Sequence, residues 1–524
     1  MSAVLNTLFG IHNRGTPMSY FSRSAIIAPK EFNRWLIVPA ALAIHLSIGQ
    51  VYGFSVFKKP MMEHFGVGEV AVGWIFSLAI GMLGISSALF GSWVERVGPR
   101  ASMAVSGVLW VTGFLVATLG VTTGNLWLVY FGYGFIGGIG LGIGYISPVS
   151  TLMKWFPDRP GLATGLAIMG FGGGALIASP ASNRLMEFYG GGADIANRAA
   201  GIQPTFVTLG VVYLVVIAMG AYCIRMPHPD WTPSGEAKQG RKPSKVAIVG
   251  ANVSANNAIR TPQFWCLWVI LFCNITAGIG VLENAAPMIQ DYFPALTAAA
   301  AAGFVGLLSL ANMAGRFVWS SVSDVIGRKN IYMVYLGIGL AFYFIFARFG
   351  HANIALFVIC ALVLLSFYGG GFASIPAYLR DLFGVYQVGA IHGRLLTAWS
   401  AAGVAGPLII NMVVERQAAN GGEGPDLYRL SLYVMCCLLA VGLIANILVR
   451  PVASKWFEDQ DTVQAKIEAD RASALEGAGA GQARGASAGQ IHKIVAIILA
   501  AIIAGLLIYG LWATAAKAAG MFIG

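Results

Sequence analysis

The residue with the most distinctive chemistry is Arg316, which stands in an apolar run ending LLSLANMAGRFVW. A guanidinium keeps its charge in a protein, and placing one at the centre of a membrane segment costs about 2.5–3.5 kcal/mol on insertion scales. A chain bears that cost when the charge faces a watery cavity and meets an anion there. Asn312 lies four residues earlier, so it shares a helical face with Arg316 and can orient the guanidinium. In an earlier apolar run, His45, Gly49 and Tyr52 follow i, i+4, i+7 spacing, with Gln50 alongside. Two ionisable groups could carry protons. His45 is near the middle of its run and belongs to the residue type that titrates near neutral pH. Glu283 falls about 30 Å along its helix, toward the outer mouth. Each has a plainer reading as well: packing for the tyrosines, a hydrogen-bonded packing role for His45, and an interfacial carboxylate for Glu283.

The composition says what must surround such a charge. Of 524 residues, 57% are hydrophobic and 10% charged, and the mean hydropathy is +0.73. A soluble domain carries about 25% charged residues, so this chain is read as polytopic and embedded in a bilayer. The net charge of +11 would suggest nucleic acid in a soluble protein; its distribution here points to membrane topology instead. Cys223, Cys266, Cys273, Cys360, Cys436 and Cys437 lie in or beside apolar segments without C-x-x-C spacing, against a disulfide framework or a metal site. The first thirty residues lack a removable signal pattern.

A membrane-spanning helix needs about 20 mainly apolar residues. Such runs are predicted at 35–57, 70–92, 102–121, 126–153, 161–182, 205–225, 264–289, 298–320, 331–349, 353–377, 389–413, 430–450 and 493–516. The runs are continuous rather than alternating, which favours helices over a barrel. With the amino terminus placed inside, the inner segments hold 24 of the 33 Lys and Arg residues and the outer ones 8. The expected organisation is a cytoplasmic tail (1–34), a first six-helix half (35–225), a cytoplasmic linker (226–263), a second six-helix half (264–450), a flexible cytoplasmic segment (451–491) that is mixed-charge and then Ala/Gly/Ser-rich from Ser473 to Gln490, and an extra carboxyl-terminal transmembrane helix (492–524). The alternative for the last run is a helix lying on the membrane surface.

The two halves carry a repeat. GSWVERVGPR at 91–100 aligns with SSVSDVIGRK at 320–329, so that Glu95 matches Asp324, Gly98 matches Gly327 and Arg100 matches Lys329, with Arg328 beside it. Both loops follow the second helix of a half, as a parallel duplication requires. An acidic side chain there can pair with basic residues and with the amino end of a neighbouring helix, latching helices in one gating state.

These paired loops resemble the signature loops of the major facilitator superfamily. With NRW at 33–35, WFPDRPGLATG at 155–165, RTPQFWCLW at 260–268 and the Arg316 region, the chain is similar to the oxalate/formate antiporter family within it. The likeness runs from residue 33 to about 450. Glu95 and Pro99 depart from the usual aspartate and arginine of the first loop, and the thirteenth segment departs from a twelve-helix core. The resemblance implies an all-α major facilitator fold and a small carboxylate bound between the halves, with Arg316 as counter-ion. It implies cavity-lining roles for Tyr145, and for Tyr368 and Phe372 at aromatic site positions. It also puts Trp399 where oxalate exchangers carry a lysine, so that a dianion would meet one fixed charge instead of two. Trp399 off the site, as packing, is the alternative.

The expected activity is therefore secondary active transport of a small organic anion by alternating access: a monocarboxylate of pyruvate, lactate or formate type, carried by proton symport or anion exchange. Oxalate/formate-type antiport is the alternative, and a membrane sensor keeping the carrier fold a remote one. The expected setting is a cell inner membrane, with an inside amino terminus and a monomeric carrier. No cofactor, metal or nucleic acid is expected. GYGFIG at 132–137 fits a dinucleotide fingerprint but lies within an apolar run with no strand before it, and no catalytic triad or dyad stands in a credible context.

Overall fold

A computed structural model of the protein describes Phe21 and residues 24–29, 31–192, 194–228, 231, 252–296, 298–459, 461–466, 468–469, 472 and 485–523. Residues 1–20 of the predicted tail, most of the 226–263 linker and much of 451–491 lie outside the described residues. The chain forms long helices in this order: α1 Arg34–Gly53, α2 Ala71–Val97, α3 Pro99–Thr122, α4 Leu126–Trp155, α5 Gly161–Gly190, α6 Ile202–Cys223 and α7 Pro262–Glu283. Then come α8 Ala298–Ile326, α9 Arg328–Phe349, α10 Ile354–Phe383, α11 Val388–Ala419, α12 Asp426–Leu448 and α13 Gln490–Ala516. Among the described residues, 12 are apolar enough throughout to cross a membrane. The remaining one is α8, whose 29 residues include Asn312 and Arg316.

The sequence motifs mark helix starts. In RTPQFW, Thr261 accepts the Phe264 N–H at 3.2 Å, and Pro262 occupies the first turn, where its missing N–H costs nothing. In NRW, Asn33 accepts the Trp35 N–H at 3.0 Å. GYGFIG is the widened turn of α4, where Gly132 lies against the α3 backbone at Gly113. It is a close helix contact of small residues, not a phosphate loop.

The six-helix halves meet along two seams, α5 against α8 and α2 against α11. The repeat is visible in backbone detail. Gly98 (φ 87) and Gly327 (φ 88) turn the chain between α2 and α3 and between α8 and α9, a region of backbone space that favours glycine. Arg100 then donates to the carbonyls of Ala221 and Tyr222 at the end of α6 (3.3 and 3.5 Å). Lys329 does the same to Ile447 and Val449 at the end of α12 (2.9 and 2.8 Å). Cations at these carboxyl-terminal carbonyls complement the helix dipole. The extra helix α13 packs on α8 of one half and on α1, α5 and α6 of the other.

Candidate functional site

Arg316 is fully buried on α8. Its Nε donates to Asn312 Oδ1 at 3.0 Å, the contact that i, i+4 spacing predicts. Its Nη1 donates to the Ile168 carbonyl of α5 at 3.1 Å, so the side chain bridges the α5–α8 seam. The guanidinium carbon lies 5.2 Å from the Phe372 ring centre and 5.8 Å from that of Phe171, within cation–π range. Nη2 is buried and has no hydrogen-bond partner among the described residues, and no carboxylate there forms an ion pair with this arginine.

Aromatic rings from both halves close around it. Trp399 packs 4.5 Å from Phe372, 5.4 Å from Phe171 and 5.3 Å from Tyr145. The Tyr52 hydroxyl meets that of Tyr368 at 3.1 Å, joining α1 to α10 across the halves. The Tyr145 hydroxyl and Trp399 Nε1 are buried without partners among the described residues. With Arg316 Nη2, the site thus offers three unsatisfied groups that can donate, and indole and guanidinium can only donate. Leaving such groups unpaired costs roughly 1–3 kcal/mol each; an anionic acceptor removes that cost.

A cavity of about 150 Å³ leads to this cluster, lined among others by Tyr52, Lys58, Phe76, Glu283, Ser309 and Asn312. Glu283 is therefore placed at the cavity. Lys58, on the short helix Ser55–Phe65, was not singled out from sequence because it falls in a polar connection. Phe171 was missed too: nothing in an apolar helix distinguishes a site-facing phenylalanine from a packing one.

The structure does not bring every predicted residue to the guanidinium. Gln50 accepts the Tyr133 hydroxyl at 2.9 Å inside the first half. His45 lies between backbone carbonyls, Ala167 of α5 and Tyr145 of α4, the latter at 3.1 Å. His45, Gly49 and Tyr52 keep the predicted shared face: the glycine lies against the Phe171 backbone and the two rings lie 6.5 and 5.0 Å from the Phe171 ring, although Gly49–Gly53 winds as a tighter 3₁₀ turn.

At the other end of α8, Asp324 accepts the N–H groups of Gly161 and Leu162, at 2.9 and 3.0 Å, from the amino end of α5. Arg328 pairs with both Asp324 and Asp381. Glu95 accepts the Gly389 N–H at 2.9 Å at the amino end of α11. Each half thus sends one carboxylate to a helix amino terminus of the other, where the backbone favours an anion. These contacts join the two halves at this end of the molecule.

Two six-helix halves related by a repeat, with a buried arginine at the seam between them and cross-half carboxylate contacts at one end, form the architecture of a membrane transporter. The chain belongs to the Major Facilitator Superfamily: the family model matches residues 40–407 and again 287–523. It is 26% identical over 377 residues to the oxalate:formate antiporter of Oxalobacter formigenes, covering 71% of this chain and 83% of that one. It is 23% identical over 392 residues to apicoplast pyruvate carrier 1 of Toxoplasma gondii, covering 66% and 70%. Among solved structures, the E. coli fucose:proton symporter FucP aligns with a TM-score of 0.58 at 16% identity, covering 80% of this chain and 100% of that one; this likeness speaks for the fold alone. The chain is a multi-pass membrane transporter, related to carriers rather than enzymes.

Proposed function

We propose that this transporter is a secondary carrier of a small monocarboxylate of pyruvate, lactate or formate type. The observation that carries the reading is the buried Arg316 Nη2 beside the Tyr145 hydroxyl and Trp399 Nε1, all three without partners among the described residues. One carboxylate accepts from all three, and its bonds to the guanidinium are charge-assisted. The relatives named above include a pyruvate carrier and an oxalate:formate antiporter. Oxalate/formate antiport is the second reading, favoured by the higher identity of that relative. It asks one fixed cation and an indole to hold a dianion, so the monocarboxylate fits the site better.

A loaded site is close to neutral, whereas an empty one leaves a buried cation. The protein therefore crosses between states more readily when loaded, which suits exchange or proton-coupled symport. Glu283 lines the entrance cavity and is the better placed of the two proton-coupling candidates. His45 faces two acceptors, so its neutral ring satisfies only one of them; proton uptake at this ring would satisfy both. Because basic residues concentrate beside the latches, the latched face is assigned to the cytoplasm of a cell with this protein in its inner membrane. The amino terminus is assigned to the same side, and the carrier works as a monomer in the lipid bilayer.

The test is uptake of labelled pyruvate, lactate and formate by liposomes holding the purified protein. Wild type is expected to take up at least one of them, and Arg316→Ala to take up none while keeping its melting temperature. Normal uptake by the variant sinks the assignment.

A further inference from the structure

His392 belongs to no contact described so far. It lies on α11 within GAIHG (389–393), which mirrors GLATG (161–165) at the start of α5. The mirror makes the position informative. Thr164, its counterpart, donates across the halves to the Ala373 carbonyl at 2.6 Å. Ala373 precedes Pro376 by three residues, as Tyr145 precedes Pro148, so these two correspond as well. His392 indeed faces Tyr145, with ring centres 6.0 Å apart. Where the threonine is hydrogen-bonded, however, the histidine is not. It is fully buried, and neither ring nitrogen has a partner among the described residues.

The place of this ring along the helix shows what it could serve. Trp399 follows it by seven residues on the same face, about 10 Å along the helix, and Gly389, which holds the Glu95 latch, precedes it by one turn. A break at Leu396 separates the helical piece carrying His392 from the one carrying Trp399. Tyr145 touches both rings, with Trp399 at 5.3 Å and His392 at 6.0 Å. His392 therefore stands between the central site and the latch, next to a residue of that site.

We propose that His392 is a second carboxylate-binding group, which receives the substrate from Arg316 on its way to the latched face once the Glu95 and Asp324 contacts open. An imidazole N–H donates to a carboxylate oxygen as the guanidinium lets go, and the unpaired ring is thereby satisfied. The proposal rests on the monocarboxylate reading and adds a direction to it: His392 matters to substrate arriving from the latched face, Arg316 to substrate arriving from either.

The experiment measures half-saturation for labelled pyruvate, lactate or formate, whichever the wild type carries, in right-side-out and inside-out vesicles holding the full chain. Removing a hydrogen bond to a charged group costs about 1.5–3 kcal/mol, equivalent to about tenfold or more in affinity. His392→Phe is expected to raise half-saturation by that factor from the latched face and leave the opposite face unchanged. His392→Asn, which keeps a donor, is expected to recover part of the loss and serves if the phenylalanine variant does not fold. Equal changes on both faces, or none on either, overturn the proposal while leaving the assignment of Arg316 standing. A wild type that carries no monocarboxylate overturns both.

Discussion

The two halves of this carrier agree at their latched ends and differ at the middle. At the ends, Glu95 and Asp324 each reach a helix amino terminus of the opposite half, and Arg100 and Lys329 each cover a helix carboxyl terminus of their own. Eight residues before these carboxylates, the match ends: α8 has Arg316 and α2 has Ser87, which donates to the Gly142 carbonyl at 3.1 Å. On the facing helices, Phe171 and Trp399 occupy corresponding places and pack against each other at 5.4 Å. The duplicated part of the sequence builds the frame. The part that has diverged builds the candidate site, with one charge from one half and an aromatic wall from both.

Breaking the symmetry of the latches gives the largest expected effect. A Cβ at Gly161 would lie 2.1 Å from the Ser320 backbone oxygen, whereas one at Gly389 would meet the movable end of Glu95 at 2.4 Å. Overpacking of this kind costs about 1–3 kcal/mol, so Gly161→Ala is expected to depopulate the latched state about fivefold or more, and Gly389→Ala less. Cysteine labelling from the latched face reads the difference; equal labelling of the two variants would contradict it.

The carboxylates themselves come next. Asp324→Asn removes charge from bonds to two N–H groups and to Arg328, and is expected to weaken the latch by about 2 kcal/mol. Glu95→Gln weakens a contact to one amino terminus and is expected to shift the same labelling assay in the same direction by a smaller amount. The smallest effect concerns the middle. Trp399→Lys adds a second cation beside Arg316 and is expected to raise oxalate affinity about fivefold, the scale of one partly screened ion pair. A calorimetric titration showing no gain would remove Trp399 from the account of charge selectivity.

Much of this was legible in the sequence, and the rest was not, for identifiable reasons. Apolar runs marked the long helices because a bilayer demands length and continuity. The spacing of Asn312 and Arg316 foretold their hydrogen bond because both lie on one regular helix. The same logic held for His45, Gly49 and Tyr52, which all lie against Phe171 although their helix tightens at Gly49–Gly53. Gln50 showed the limit of position alone: it is in the right helix but turned to Tyr133. His392 had a signal, seven residues before Trp399 on one face and inside the mirrored glycine pair, but its lack of partners is a property of the packed halves.

The central claim is that one guanidinium holds one carboxylate. Calorimetric titration of detergent-purified wild type and Arg316→Ala with the transported monocarboxylate tests it most directly. The expected result is single-site binding to the wild type and a loss of roughly a hundredfold or more in the variant, the scale of one or two charge-assisted hydrogen bonds. Binding of equal strength in a folded Arg316→Ala variant would contradict the account.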